Sequence, residues 1–139
     1  MDRSDRTQVV LQALEACTRG DAQVLADLFT DDVVAWSPLL LVESLEELIA
    51  AMDDVDSALS DVSVSVGVVD VVGDKGFAEY RIAGRFTGPF EADDAIVPPN
   101  GRELLIGGAL VVEFRGDKIA KFRNYFDELT LLEQMLEPA

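Results

Sequence analysis

The sequence predicts an α+β fold: a curved, mainly antiparallel sheet, a four-stranded meander with an extra short strand, wrapped on three N-terminal helices, with a short C-terminal helix. Three observations predict it. Apolar residues recur at helical spacing as far as Met52, the period switches to two from Val62 onward, and glycine-centred turns cut the remainder into long segments. Helices must cover one face of such a sheet, and a curved sheet wrapped on helices leaves a conical cavity at one end. No internal repeat or second domain is visible, so residues 1–139 are read as one domain. A chain of this length buries roughly two-thirds of its unfolded surface, enough for a core and one pocket.

Residues 5–19 form the first predicted helix, with Val10, Leu14 and Cys17 on one stripe and Gly20 ending it. Asp21 is placed to cap a second, short helix carrying Val24, Leu25, Leu28 and Phe29. Asp32 to Trp36 reads as a short strand stopped by Pro38. Ser44 with Glu47 makes a capping box for a third helix bearing Leu45, Leu48, Ile49 and Met52. Val62, Val64, Val66 and Val68 then alternate as a half-buried strand, and Gly67 with the Val68–Val69 pair predicts a bulge. The turn 73–76 leads into a returning strand over 77–88. The segment 91–101 reads as a loop, punctuated by Pro98, Pro99, Asn100 and Gly101. Two long strands, 102–115 and 118–127, meet at Gly116–Asp117, and a last helix carries Leu129, Leu132 and Leu136.

Charge excludes one class of partner. Twenty-seven acidic residues against eleven basic ones give a net charge of −16. Such a surface repels phosphate backbones, so no nucleic-acid partner is expected. The polar N-terminus has no apolar signal core and no apolar run is long enough to span a bilayer, so neither secretion nor a membrane is expected and the cytoplasm is the expected location. A single cysteine, Cys17, rules out an internal disulfide and a cysteine-based metal site. There is no histidine, which removes the usual neutral-pH general base and the commonest metal ligand. No metal and no cofactor are expected.

Strand parity nominates the pocket. In 118–127, Ala120, Phe122, Asn124 and Phe126 share the apolar, inward face, while Lys121, Arg123, Tyr125 and Asp127 share the other. Leu104, Ile106, Leu110, Val112 and Phe114 behave alike in the neighbouring strand, and Tyr80 goes inward with Ala78, Ile82, Gly84 and Phe86. Asn124 is therefore the polar group pointing in, able to hold a carbonyl or hydroxyl, or else a buried amide satisfied by a neighbour. Tyr80 presents a hydroxyl to the pocket or packs in the core with its hydroxyl at the rim. Asp127, at the strand end, either enters the pocket as a lone carboxylate whose pKa desolvation would raise, or caps the last helix. Trp36 lines the pocket or packs beneath the third helix. Glu113 opposite Arg123 reads as a structural pair, and Arg81 and Arg85 as ion-pair or dimer contacts.

The run "GDAQVLADLFTDDVVAW", followed by "GRFTGPF", "PPNGREL" and "GDKIAKFRNYFDELTLLEQM", resembles the SnoaL-like branch of the nuclear transport factor 2-like superfamily across nearly the whole chain. Relatives include polyketide cyclases, ketosteroid isomerases and limonene-epoxide hydrolases. The resemblance implies a conical α+β barrel with a deep apolar pocket and a homodimer built through the outer sheet face. It also exposes departures. Where the epoxide hydrolases place an Asp in a W-R-D run, this chain has Phe122–Arg123–Asn124. Where cyclases pair an Asp with a His, it has Asp127 alone, and Phe86 stands where many relatives have His. The expectation is a pocket for a small hydrophobic molecule, lined by Trp36, Ile82, Phe86, Leu110, Phe122 and Phe126. Asp127, Asn124 and Tyr80 are the candidate catalytic groups, for proton transfer or water addition on a polyketide-, steroid- or epoxide-like substrate. A non-catalytic binding or protein-interaction module is the alternative.

Overall fold

The computed structural model describes residues 2–92 and 95–139. Helix α1 spans Arg3–Arg19, two residues longer at its start than its apolar stripe predicts, because the Asp2 side chain accepts from the Asp5 N–H. Gly20 closes it with φ 64°, a left-handed cap. Helix α2, Ala22–Leu28, starts on Asp21, whose carboxylate accepts from the Val24 N–H. Strand β1 follows without a break over Phe29–Ser37 and turns at Pro38 into β2, Leu40–Val42, a short hairpin partner that the sequence reading missed. Helix α3 covers Leu45–Ala58 on the Ser44 cap, and the Glu47 carboxylate reaches back to the Glu43 N–H at 3.4 Å.

The remaining strands are β3 (Leu59–Val72), β4 (Lys75–Phe86), β5 (Phe90–Ala92), β6 (Ala95–Val97), β7 (Glu103–Arg115) and β8 (Lys118–Phe126), before α4 (Glu128–Leu136). Segment 91–101, expected to be a loop throughout, thus contributes β6 and most of β5, which pair Phe90 with Val97; residues 93–94 lie outside the described residues. Six strands form the main sheet in the order β2-β1-β8-β7-β4-β3. It is antiparallel except where β1 runs parallel to β8. That parallel pairing closes the helical half of the chain onto the strand half.

Register decides which residues look inward. The bulge expected at Gly67 is present: Val66 pairs with Tyr80 and Val68 with Glu79, leaving Gly67 over. Val66 therefore shares the inner side with Tyr80, whereas Val68 joins the outer one. A second bulge corrects the parity of β8. Glu113 pairs with Lys121 but Phe114 with Ile119, so Ala120 is the extra residue and Ile119, fully buried, takes the inward place assigned to Ala120. From Phe122 onward the expected alternation holds.

The inner face packs on α1 and α3. Val10, Ala13 and Leu14 of α1, Leu25 and Leu28 of α2, and Leu48 of α3 meet Ala78, Leu110, Val112, Ile119 and Phe122. Phe29 stands edge-on to Phe122, ring centroids 5.6 Å apart. A second cluster, around Ala58, Phe86, Val97, Leu104, Leu131 and Met135, ties α4 and β6 to the far end of the sheet. Among the described residues no helix is long and apolar enough to cross a membrane.

Candidate functional site

Between α1, α3, α4 and the inner face of the sheet lies a cavity of about 250 Å³. Leu14, Cys17 and Thr18 of α1 and Leu48, Met52 and Val55 of α3 form one wall. Tyr80, Ile82, Ile106, Phe122, Asn124 and Phe126 form the sheet wall, and Leu131 and Met135 of α4 contribute a third side. Almost all of this surface is hydrocarbon or thioether, the kind that binds an apolar molecule with few polar contacts.

Two polar side chains meet within it. The Tyr80 hydroxyl donates to Asn124 Oδ1 at 2.5 Å. Tyr80 is only 4% exposed, and burial pushes its phenol up to about 12, so it stays a neutral hydrogen-bond donor across the physiological range. The Asn124 amide nitrogen has no protein acceptor among the described residues. An amide can face either way. In either orientation the pair offers at least one donor and one acceptor to a guest. Two hydroxyls of the lining bond to nearby backbone: Thr18 Oγ1 donates to Glu15 O at 2.8 Å, and Ser37 Oγ accepts from the Leu39 N–H at 3.2 Å. Burial likewise pushes the Cys17 thiol up to about 12, leaving it a neutral, apolar part of the wall.

The positions expected from sequence divide clearly. Tyr80, Asn124, Ile82, Phe122 and Phe126 line the cavity together. Asp127 does not reach it. Its carboxylate is exposed and caps α4, accepting from the Thr130 N–H at 3.2 Å and the Thr130 hydroxyl at 2.9 Å. Those two bonds hold its pKa below the ordinary carboxylate value, the reverse of what a pocket acid needs. The helix begins at Glu128, so its free N–H groups capture the carboxylate before it can turn inward. Phe86 and Leu110, also expected in the lining, sit behind it: Phe86 in the cluster beneath α4, Leu110 under α1. Trp36 borders the cavity, but its ring leans on Tyr125 at 5.1 Å on the outer face, because Trp36 pairs with the outward Arg123. Arg85, read as an ion-pair or dimer contact, donates instead to Gly101 O at 2.9 Å. Glu113 is the structural pair expected, gripped by Arg123 at 2.8 Å and Lys75 at 3.1 Å.

The sequence reading missed the helical wall and the rim. Cys17 shares the helical stripe of Val10 and Leu14, which cannot distinguish a residue packed on the sheet from one facing a gap above it. At the rim, Asp54 of α3 and Glu91 of β5 are exposed carboxylates bordering the opening. The "TGPF" stretch fixes that edge. The N–H groups of Thr87 and Gly88 both donate to Ala58 O at 3.0 Å, and a Cβ at Gly88 would fall 2.1 Å from Ser57 O. Only glycine lets the chain pass so close to the end of α3, which sets Phe90 at the mouth.

A curved sheet with helices on its inner side, an apolar cavity between them and a Tyr–Asn pair inside define an α+β cone. The sequence profile of the SnoaL-like polyketide cyclase family matches residues 8–135, and the chain belongs to that family. Solved structures agree on the fold. A SnoaL-like protein from Jannaschia sp. CCS1 superposes with a TM-score of 0.86 at 20% identity, over 99% of this chain and 95% of that one. TsrD from Streptomyces laurentii gives 0.83 at 24% identity, over 98% of each chain. An LEH-like epoxide hydrolase of M. tuberculosis gives 0.72 at 14% identity, over 96% of this chain and 91% of that one. A search of curated proteins found no match.

Proposed function

We propose that this protein binds a small, mainly apolar molecule carrying one carbonyl, hydroxyl or ether oxygen, seated in the cone with that oxygen on Tyr80 and Asn124. The observation that carries the reading is the Tyr80–Asn124 hydrogen bond inside an otherwise apolar cavity. Size narrows the guest. An apolar cavity of about 150 Å³ accepts benzene, so about 250 Å³ suits one or two rings and is tight for an intact steroid skeleton.

Binding without turnover is the reading we favour. Neither member of the pair can abstract a proton: the phenol stays protonated and an amide does not ionise. The rim carboxylates, Asp54 and Glu91, are solvated, and Asp127 serves the helix. A second reading, proton transfer or water addition on a bound carbonyl or epoxide, draws support from the donor that the same pair leaves free. A donor there stabilises charge developing on an oxygen, with water or a rim carboxylate taking the proton.

A thermal-shift panel of 2-naphthol, monoterpene ketones, limonene oxide and a four-ring steroid, on wild type and Tyr80→Phe, tests both readings. The expected result is stabilisation by the one- and two-ring compounds, weakened in Tyr80→Phe, with no product formed. Product formation lost in Tyr80→Phe would move the protein to the second reading. No shift with any compound would overturn both.

A second copy of the chain is the partner we propose for the outer sheet face. Trp36, Tyr125, Phe77, Val68 and Leu105 stand there with 38–56% of their surface exposed, interspersed with both signs of charge. Exposed aromatic and branched side chains among paired charges suit a self-complementary interface.

A further inference from the structure

The Tyr80–Asn124 bond spans a strand. Tyr80 is on β4 and Asn124 on β8, with β7 between them. In register, Tyr80 pairs with Gly108 and Asn124 with Leu110, so the phenol must cross the inner face of β7 at Gly108 to reach its partner. Nothing else fits under it. A Cβ at position 108 would fall 2.5 Å from the Tyr80 hydroxyl oxygen, 2.7 Å from Cζ and 2.8 Å from the Tyr125 carbonyl oxygen. The neighbouring Gly107 is different: its added Cβ would point to the outer face, 3.9 Å from the nearest atom, the Tyr80 carbonyl oxygen.

From this geometry we propose that Gly108 is the positioning residue of the site. By lacking a side chain it lets the Tyr80 phenol lie flat on β7 with its hydroxyl on Asn124, which also keeps the ring out of the cavity. Any side chain at 108 tips the phenol off Asn124 and into the space the guest occupies. The role rests on the binding reading given above, but its geometric half stands without a ligand.

Two measurements on the same variants test it. The first needs no ligand. Gly108→Ala should lower Tm clearly, and Tyr80→Leu, which removes both phenol atoms that the new methyl strikes, should cancel most of that cost in the double variant. Equal cost of Gly108→Ala in both backgrounds would trace it to the Tyr125 carbonyl and overturn the proposal, and the double variant keeps the test usable if the single one does not fold. The second compares 2-naphthol with naphthalene, equal in rings but unequal in hydrogen bonding. Wild type should prefer 2-naphthol by about fivefold, the size of one net hydrogen bond. Gly108→Ala should abolish the preference, Gly107→Ala should keep it, and Gly108→Ala should not change it further in Tyr80→Phe. A preference retained in Gly108→Ala overturns the positioning role while leaving the binding reading intact. No preference in wild type overturns the binding reading, and the ligand half of this proposal with it.

Discussion

The hydroxyl of Tyr80 and the amide of Asn124, forty-four residues apart in sequence, share a hydrogen bond of 2.5 Å across a strand that contributes only Gly108 beneath it. The pair puts a protonated phenol and a neutral amide at the polar point of the cavity, and neither ionises in the physiological range.

Asn124→Asp is nearly isosteric and places a carboxylate in the cavity wall. One neutral donor, Tyr80, does not replace the hydration that the carboxylate loses, so its pKa should rise above the ordinary ~3.9. A folded-state pKa above the unfolded one means the folded state binds the extra proton. Stability relative to wild type should therefore be greatest below ~4 and fall as pH rises through the raised value. Urea denaturation at pH 4 and pH 8 measures it; a gap that narrows towards pH 8 would contradict the assignment.

Asp127→Ala should weaken α4 and leave ligand binding alone. Its carboxylate serves only the Thr130 N–H and hydroxyl. Because those bonds depress its pKa, the cap contributes fully above the unfolded carboxylate value and is lost as pH falls through the folded one. Tm at pH 7 should drop, with the 2-naphthol affinity unchanged. A loss of affinity at unchanged Tm would return Asp127 to the site.

Glu113 answers to acid in the same sense. The Arg123 hydrogen bond and then that of Lys75 hold its pKa down to about 2. Its contribution is present above the unfolded value of ~4.3 and disappears between there and about 2. In Glu113→Gln the stability difference from wild type should shrink steadily over that window. A difference that stays flat with pH would show that the two cations do not hold the carboxylate.

Trp36→Lys places a charge beside Tyr125 on the outer face. Sedimentation should give a dimer for wild type and a monomer for the variant. A monomeric wild type would remove the second copy as the partner of this face.

High salt should raise Tm. A net charge of −16 repels itself across a chain of this size, and screening relieves that repulsion. Thermal melts at 0.05 and 1 M NaCl measure the effect, and a lower Tm at high salt would mean that the surface ion pairs outweigh the repulsion.

Much of the fold is local and could be read directly. The caps at Asp21 and Ser44, the left-handed Gly20 and the turn at Gly116 follow from chemistry within a few residues of chain. The inward set Tyr80, Ile82, Phe122, Asn124 and Phe126 follows from alternation, and the bulge at Gly67 from its interruption. Family membership was legible from the spaced segments of the second half. Parity failed where register changed without a glycine to announce it, at Ala120, because a bulge there is decided by the pairing with Phe114 rather than by Ala120 itself. The hairpins β1–β2 and β5–β6 were missed for a related reason: strands of three residues are too short to show a period.

What the sequence alone determined, then, is which side chains share a face and which chemistries are on offer: no histidine, one cysteine, and an amide, Asn124, as the polar group on the inward face of the last strand. Only the tertiary structure decided which of those groups meet. Asp127 was open between pocket and cap until α4 offered it two donors at its own strand end. Trp36 turned outward because β1 pairs in parallel with β8, a contact between segments almost ninety residues apart. Tyr80 reached Asn124 because β7 happens to be bare at Gly108. Each outcome depends on strand register and on the space left between packed elements, quantities set by the whole chain closing on itself rather than by any residue's neighbours in sequence.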